Sequence, residues 1–539
     1  MVMRTFYIST LGCKVNQYES EQLGALLRRR GLVQADVPDQ ADLRVVHTCS
    51  VTIQAASKSR QAVRQLLRNA APCSRHVGPS LTPATQRGCS GGRLVVSGCW
   101  ATSDSAEALA IPGVSAVLGH QHNVAEQLDQ LLTRWRFEDL TPPENTANSQ
   151  PRPEWLGNDG WIIEAGTLAP KLATTSRSHN GLQVKRNVAD DKAESRVSHQ
   201  EIREGDAGWR GTADLPPPDG RQDGRQRAFL KIQDGCDACC SYCIIPRLRR
   251  RLWSKPVEDV VGEAGRLVEA GHVELVLTGI YLGAYGQPSA VRRRQGGQAR
   301  QGLPALIDAV CTGVPGLRRL RLSSIESGDL NDQLLNVLRR HPQVVPHFHL
   351  PLQSGSDEVL SRMRRQYGRA DFLKMVERLR GAFDRPALTT DIIVGFPGES
   401  DEHFNETLDV VDRAGFIHIH GFSFSPRPGT AAAQWERDFV RGPVVKDRIQ
   451  VLRSRAADNS YRYRRQFTGQ SAEVMVERLS GQEGVEGQAA GVQHGRCERY
   501  FPVWFKGGQE LMGRCVKVLI EEVTEQRTFG RLVGSGGVQ

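Results

Sequence analysis

Short apolar runs, each ended by a small or polar residue and followed by an amphipathic helical pattern, recur in two long series, and that alternation admits few folds. In residues 1–135 the runs are TFYIST, LRVVHT, RLVVSG and VSAVLG, interleaved with helical stretches such as NQYESEQLGALLRRRG and NVAEQLDQLLTRW. Strands alternating with helices predict a parallel sheet covered on both faces, a small doubly wound α/β domain. In residues 227–465 six runs follow: AFLKIQDG, VELVLTGI, LRRLRLSSI, VPHFHLPL, ALTTDIIVG and IHIHGFSFS. Six βα units suit a partial (β/α)6 barrel better than a closed eight-stranded one. Residues 466–535 hold AEVMVERL, YFPVWF and VKVLIEEV between glycine-rich turns, which predicts a small all-β barrel.

Two segments break the pattern. Residues 72–92 read as a surface insertion, and 136–226, rich in turn residues and without periodicity, as a disordered linker. Within it, EWLGNDGWII reads either as a docking patch or as a transient apolar cluster. No window approaches the roughly 18 unbroken apolar residues of a membrane span. MVMRTFYISTLGC lacks a basic stretch followed by an apolar run, so a cytoplasmic setting without membrane partners is expected. In that reducing compartment clustered cysteines more often hold metal than form disulfides. The net charge of +10 permits an acidic partner such as nucleic acid.

Four of the twelve cysteines crowd into DGCDACCSYCIIP, residues 234–246. Cys236, Cys239, Cys240 and Cys243 admit three readings. A four-thiolate zinc site is one, although such sites usually separate their two pairs by a longer loop. The second is Cys236-x3-Cys240-x2-Cys243 holding three irons of a [4Fe–4S] cluster, with Cys239 a bystander and the fourth iron open to a small ligand. The third is a set of buried or redox-sensitive thiols. Cys13, Cys49 and Cys99 are far apart, yet each ends an apolar run: FYISTLGC, RVVHTC and LVVSGC. Neighbouring parallel strands share one C-terminal edge, so the three can converge on a second three-cysteine site; three ordinary buried cysteines are the alternative. Cys73 and Cys89 lie in the insertion, and Cys311, Cys497 and Cys515 read as structural.

The central loop resembles the signature of the radical S-adenosylmethionine superfamily. With the three N-terminal strand-end cysteines, the chain is similar to the methylthiotransferases. Further motifs carry the likeness: HTCSVT, SGCWA, KIQDGC, LTGIYLGAYG, PLQSGSDEVLSRMRR, DIIVGFPGE and FSPRPGT. TLGCKVNQYESE most resembles the branch acting on N6-threonylcarbamoyladenosine (t6A) at position 37 of tRNA, and the last module resembles the RNA-binding TRAM domain. The resemblance implies two [4Fe–4S] clusters, one on Cys236, Cys240 and Cys243 and an auxiliary one on Cys13, Cys49 and Cys99. It also implies S-adenosylmethionine, cleaved to a radical that removes hydrogen from carbon 2 of adenine, and methylthio transfer to that carbon. Such chemistry needs an electron donor of the flavodoxin or ferredoxin kind, and no protein general base is nominated.

Strand-end polar residues offer cofactor contacts: Thr278 and Gly279, Ser323 and Glu326, then Gln353 and Asp391. SSIESGDL lacks the proline expected after Glu326. SYRYRRQF, residues 460–467, interleaves aromatics with Arg462, Arg464 and Arg465, a composition suited to RNA; RRRQGGQAR at 292–300 is similar. The isopentenyladenosine and ribosomal-protein branches are alternative substrates. A non-catalytic RNA-binding protein with zinc on its cysteines is the reading from another class.

Overall fold

Valine- and leucine-rich runs become the central strands wherever both faces of the sheet are covered, as parallel sheets require. The computed structural model describes residues 3–68, 92–140, 163–164, 214–218, 226–292, 302–477 and 491–533. In the N-terminal domain the strands are β1 (Thr5–Thr10), β2 (Val33–Gln34), β3 (Leu43–Thr48), β4 (Arg93–Gly98), β5 (Ala116–Leu118) and β6 (Ile163–Glu164), in the order β2-β1-β3-β4-β5-β6. All pairs are parallel except β6 on β5. Helices α1 (Lys14–Arg29), α2 (Ile53–Arg68), α3 (Cys99–Ser103), α4 (Ser105–Leu109) and α5 (Val124–Leu140) connect them. Alternation along β3 and β4 sends Val45 and Val95 into one core, with Phe6 and Leu128, and Val46 and Val96 into the other, with Trp100.

The expected linker is shorter than 136–226. Helix α5 runs to Leu140, and Ile163–Glu164 adds an edge strand to the first sheet. Residues 214–218 also lie on the N-terminal domain. Leu215 is buried in its core, its carbonyl accepts from Gln22 Nε2 at 3.1 Å, and Asp214 accepts from Asn123 at 3.0 Å. The rest of that segment, and residues 72–91 of the insertion, lie outside the described residues.

The second domain contains the six expected parallel strands: β7 (Arg227–Asp234), β9 (Glu274–Gly279), β10 (Arg319–Leu322), β11 (His347–His349), β12 (Ala387–Val394) and β13 (His418–Ser423). A short antiparallel strand, β8 (Trp253–Ser254), flanks β7. A parallel bridge between Leu320 and Val344 carries the sheet from β10 towards β11. Helices α6 (Ile245–Leu248), α7 (Val257–Glu269), α8 (Leu303–Gly313), α9 (Asp332–Arg340), α10 (Asp357–Arg362), α11 (Arg369–Ala382) and α12 (Asp401–Ala414) accompany the strands. Their apolar faces meet Leu230, Leu277, Leu320, Phe348, Ile392 and Ile419 in one core. The alternate residues of β11 to β13, among them His349, Asp391 and His420, therefore face the barrel interior.

Helix α13 (Gly442–Arg465) leads into a closed barrel of β14 (Ser471–Val476), β15 (Val492–Cys497), β16 (Pro502–Lys506), β17 (Cys515–Val523) and β18 (Thr528–Leu532), ordered β14-β15-β16-β18-β17. Its Tyr500, at φ +74°, stacks on His347 of β11 with ring centroids 4.7 Å apart. The guanidinium carbons of Arg321 and Arg496 lie 4.8 and 4.5 Å from the same ring. The terminal module thus covers the N-terminal end of the larger barrel and leaves its C-terminal mouth to the first domain. No described helix is long and apolar enough to cross a membrane.

Candidate functional site

Strands β1, β3 and β4 are neighbours, so their C-terminal ends bring Cys13, Cys49 and Cys99 to one edge. Backbone approach there is close. A Cβ on Gly12, at φ +114°, would lie 2.8 Å from Cys49 Cβ and 3.2 Å from its Sγ. One on Gly98, at φ +95°, would collide with the Thr48 backbone. Asn16 Nδ2 ties the turn to the adjoining strand by donating to the Leu11 and Thr48 carbonyls, both at 2.9 Å. Ser59 Oγ bridges the backbone of Cys49, accepting from its N–H at 3.2 Å and donating to its carbonyl at 2.9 Å. Burial pushes the Cys99 thiol up to about 12, and Cys13 and Cys49 add to the shift. Arg249 opposes it, its Nη2 lying 3.9 Å from Cys99 Sγ.

The second triad lies on the loop after β7. Gly235 opens it at φ +78°, where any side chain would meet the Arg251 carbonyl. Cys236 N donates to Arg249 O and Cys243 N to Cys240 O, both at 3.1 Å. Ser241 anchors the loop, donating from N to Met363 O at 3.1 Å and from Oγ to Arg362 O at 2.8 Å. Burial pushes Cys236 and Cys243 each up to about 12, with further upward pressure from Cys240 on both and from Cys243 on Cys236. Arg365 Nη1 donates to Cys240 Sγ at 3.3 Å, and Ala238 N to Cys236 Sγ at 3.4 Å. Cys239 is exposed. Each triad thus has one guanidinium at a sulfur, a charge that favours the thiolate needed for iron. With backbone donors to sulfur as well, the donor set fits an iron–sulfur cluster.

Between the triads lies a buried charge network in the docking of the two domains, which the sequence did not disclose. Glu19 of α1 accepts from Arg249 Nη1 and Nη2 at 2.7 and 2.8 Å and from Lys231 at 2.7 Å. Asp234 accepts from the same two cations at 2.9 and 2.6 Å. Burial pushes the Glu19 carboxyl up, but Arg249 and Lys231 pull it further down, so it stays well below the ordinary carboxylate range. His47 Nε2 lies 3.2 Å from Glu19. A glutamate on a helix, such as Glu19, reads as solvated; only the docking reveals its partners.

The expected cofactor contacts divide. Thr278 is buried and donates to the Val276 carbonyl at 3.1 Å, so its hydroxyl is spent on the wall. Gly279 lies against the Gln233 side chain, where a Cβ would approach to 3.0 Å. Ser323 Oγ is buried without a hydrogen-bond partner. Glu326 pairs with Arg365, the residue at Cys240, and with Arg292 at 3.5 Å. Gln353, at φ +62°, donates from its backbone to Asp391 O at 2.8 Å. Asp391 Oδ2 lies 3.2 Å from His349 Nε2. The ligand atoms of His349, Asp391 and His420 lie within 4.8 Å of one another, a grouping that sequence separation concealed. Burial pulls Lys14 below the usual ammonium range, with Tyr500 and Asp391 opposing the shift and Arg321 and Arg227 adding to it.

The three arginines expected to contact RNA differ in their settings. Arg464 is buried, donating to Thr528 Oγ1 at 3.0 Å and to Glu525 O at 2.6 Å; it fastens α13 to the terminal barrel rather than facing RNA. Arg465 lies over Tyr461, 5.5 Å from the ring centroid. Arg462 lines a cavity of about 360 Å³ with Arg380 and Arg385, beside the N-terminal end of β12 and lined by none of the cysteines. Of the second arginine stretch, Arg292 pairs with Asp329 at 3.4 Å; 293–300 lie outside the described residues.

Family models match three segments: the Radical SAM superfamily over residues 230–411, the uncharacterized protein family UPF0004 over 5–119 and the TRAM domain over 465–533. Among curated proteins the chain is similar to threonylcarbamoyladenosine tRNA methylthiotransferase MtaB of Bacillus subtilis, 32% identical over 96% of this chain and 94% of the relative. The protein of that name from Thermotoga maritima is 32% identical over 88% and 87%. A tRNA-2-methylthio-N(6)-dimethylallyladenosine synthase of Frankia alni is 31% identical over 97% and 87%.

Proposed function

The chain belongs to the methylthiotransferase family of radical S-adenosylmethionine enzymes, and from that premise we propose that it places a methylthio group on carbon 2 of t6A at position 37 of tRNA. The observation that carries the reading is the pair of cysteine triads, each at the C-terminal edge of a parallel sheet and each with a guanidinium at one sulfur. Cys236, Cys240 and Cys243 hold one [4Fe–4S] cluster, Cys13, Cys49 and Cys99 the other. The clusters with S-adenosylmethionine supply what acid–base chemistry cannot, homolytic attack on an unactivated aromatic C–H bond and a sulfur to replace the hydrogen.

The chain's own residues bind and orient. Ser323, whose Oγ is buried and unpaired, Glu326 and Gln353 are assigned to the polar ends of S-adenosylmethionine. Asp391, tied to His349, is assigned to the substrate side of the cavity. The terminal barrel and the arginines lining the α13 cavity, Arg462 included, supply sites for tRNA phosphates. A flavodoxin or ferredoxin supplies electrons.

The Frankia relative gives the second reading, transfer to an isopentenylated adenosine. Nucleoside mass spectrometry of tRNA from a strain lacking the protein decides. Loss of 2-methylthio-t6A with accumulation of t6A is the expected outcome. Loss of the methylthio isopentenyl nucleoside instead would transfer the assignment to the second branch, and persistence of both would remove tRNA from it.

A further inference from the structure

We infer that His349, Asp391 and His420 form a binding site for a divalent transition cation such as zinc, on the interior face of the larger barrel. The site uses none of the cluster cysteines and stands whichever nucleoside is the substrate.

Strand register brings the three residues together. Asp391 of β12 pairs with His420 of β13, and His349 of β11 pairs with Thr389, two residues before Asp391 on the same face. One donor atom from each of the three lies within 4.8 Å of the other two. His349 Nε2 and Asp391 Oδ2 are 3.2 Å apart. Donors about 2.0–2.2 Å from one zinc ion stand roughly 3–3.5 Å from each other, so this pair already spans one edge of a coordination shell. His420, exposed on the edge strand of its sheet, has room to turn toward them.

The surroundings favour a cation over a bare hydrogen bond. Thr389 Oγ1 lies 3.0 Å from His349 Nδ1 and 3.4 Å from His347 Nε2. A hydroxyl that donates to His347 accepts from His349 Nδ1–H, and that tautomer turns a lone pair on Nε2 toward Asp391. Two lone pairs facing each other at 3.2 Å repel, and a cation between them removes the repulsion. An outer hydrogen bond on the far ring nitrogen is also what orients a metal-bound imidazole. Charge points the same way. Among the described residues no lysine or arginine forms an ion pair with Asp391, whose side chain is 30% exposed. The grouping of Glu19, His47 and His120 differs, because Arg249 and Lys231 already neutralise its carboxylate. Two imidazoles and one carboxylate suit zinc or ferrous iron, and three protein donors leave a position open to water or to an oxygen of a bound substrate.

The test uses the full-length protein with its iron–sulfur clusters reconstituted anaerobically. Parent, Asp391→Asn, His420→Ala and Thr389→Val are dialysed against graded concentrations of free zinc, and zinc and iron are measured in the same samples. The parent should take up one zinc per chain with its iron unchanged. X-ray absorption at the zinc edge should show nitrogen and oxygen donors, without the sulfur shell at about 2.3 Å that a thiolate site would give. Asp391→Asn, which keeps the shape and loses the charge, and His420→Ala, at an exposed position, should each lose that zinc. Thr389→Val should keep the site and bind zinc about 10- to 100-fold more weakly, the usual cost of an outer-shell partner. Circular dichroism and iron content equal to the parent's identify folded variants with their clusters in place; should Asp391→Asn fall short of that, His420→Ala decides. No zinc uptake by the parent would overturn the proposal and leave His349 and Asp391 as a plain hydrogen-bonded pair. A sulfur shell would also overturn it, by putting the metal on cysteines, as would uptake undiminished in His420→Ala, the mark of an adventitious ion only. None of these results bears on the t6A reading, which the nucleoside measurement decides.

Discussion

Glu19→Gln should loosen the N-terminal domain from the barrel by a calculable amount. The substitution preserves volume and removes one charge from a site with no solvent exposure. Arg249 and Lys231, 3% and 2% exposed, are left to share Asp234. Removing one partner from a buried ion pair costs about 3–5 kcal/mol. Asp234 keeps its bonds to both cations, so the lower end, about 3 kcal/mol, is expected. At about 2–4 °C per kcal/mol the first unfolding midpoint falls by roughly 6–12 °C. The assay is thermal denaturation of the apoprotein in anaerobic, reducing buffer, followed by circular dichroism. The pH dependence adds a second constraint. Because the folded Glu19 carboxyl lies below its unfolded value, its contribution is complete above about pH 5 and disappears as pH falls through the folded pKa. The gap between parent and variant should therefore be constant from neutral pH to about pH 5 and close in more acid solution. A midpoint shift under about 1 °C would refute the reasoning, because it would mean that the two cations are solvated or paired elsewhere.

Single replacements Cys236→Ala, Cys240→Ala and Cys243→Ala should each lose about half the bound iron and abolish reductive cleavage of S-adenosylmethionine, while Cys239→Ala keeps both, as iron assay and product chromatography would show. Cys13→Ala, Cys49→Ala and Cys99→Ala should also lose about half the iron but retain that cleavage, failing only in methylthio transfer. Gly98→Ala forces a side chain into a left-handed position against the Thr48 backbone; about 1–3 kcal/mol of strain, read by denaturation, should come with reduced iron at the N-terminal site. Arg464→Ala should destabilise the terminal barrel by about 1–3 kcal/mol. Arg462→Ala should leave stability unchanged and reduce the salt slope of tRNA binding by about one.

Legibility followed burial. Strands β3, β4 and β9 stood out because they are buried on both faces and carry valine- and leucine-rich runs. Strands β2, β6 and β8 have two residues each, too few to show a period. Strand β15 reads VQHGRC, and its Gly495 is required because the Met475 carbonyl leaves no room for a side chain; a close crossing of that kind looks like a turn in sequence. The cysteines were legible because strand-end placement is a topological fact. Glu19, Lys231 and Arg249 were not, since their pairing joins residues more than 200 positions apart. The grouping of His349, Asp391 and His420 was hidden for the same reason, since the three lie on separate strands.

The charge network also explains how two triads on separate domains acquire a defined separation. The apolar contact beside them is small, comprising Cys99, Ile244 and Leu248. Such a patch gives adhesion, but apolar surfaces slide. Arg249 is held from both sides, by Glu19 of the first domain and Asp234 of the barrel, and its remaining reach ends at Cys99. A planar guanidinium donating to two carboxylates at once has few alternative poses, so it sets register where packing alone would not. Cys236 donates its N–H to the carbonyl of that same arginine. One residue therefore touches both cysteine sites, through its side chain at the first and its backbone at the second. Arg249→Lys, which keeps the charge and loses the fork, should spare iron at both sites yet slow methylthio transfer far more than S-adenosylmethionine cleavage. Equal slowing of both steps, measured in one reaction, would place the arginine in cluster support rather than in register.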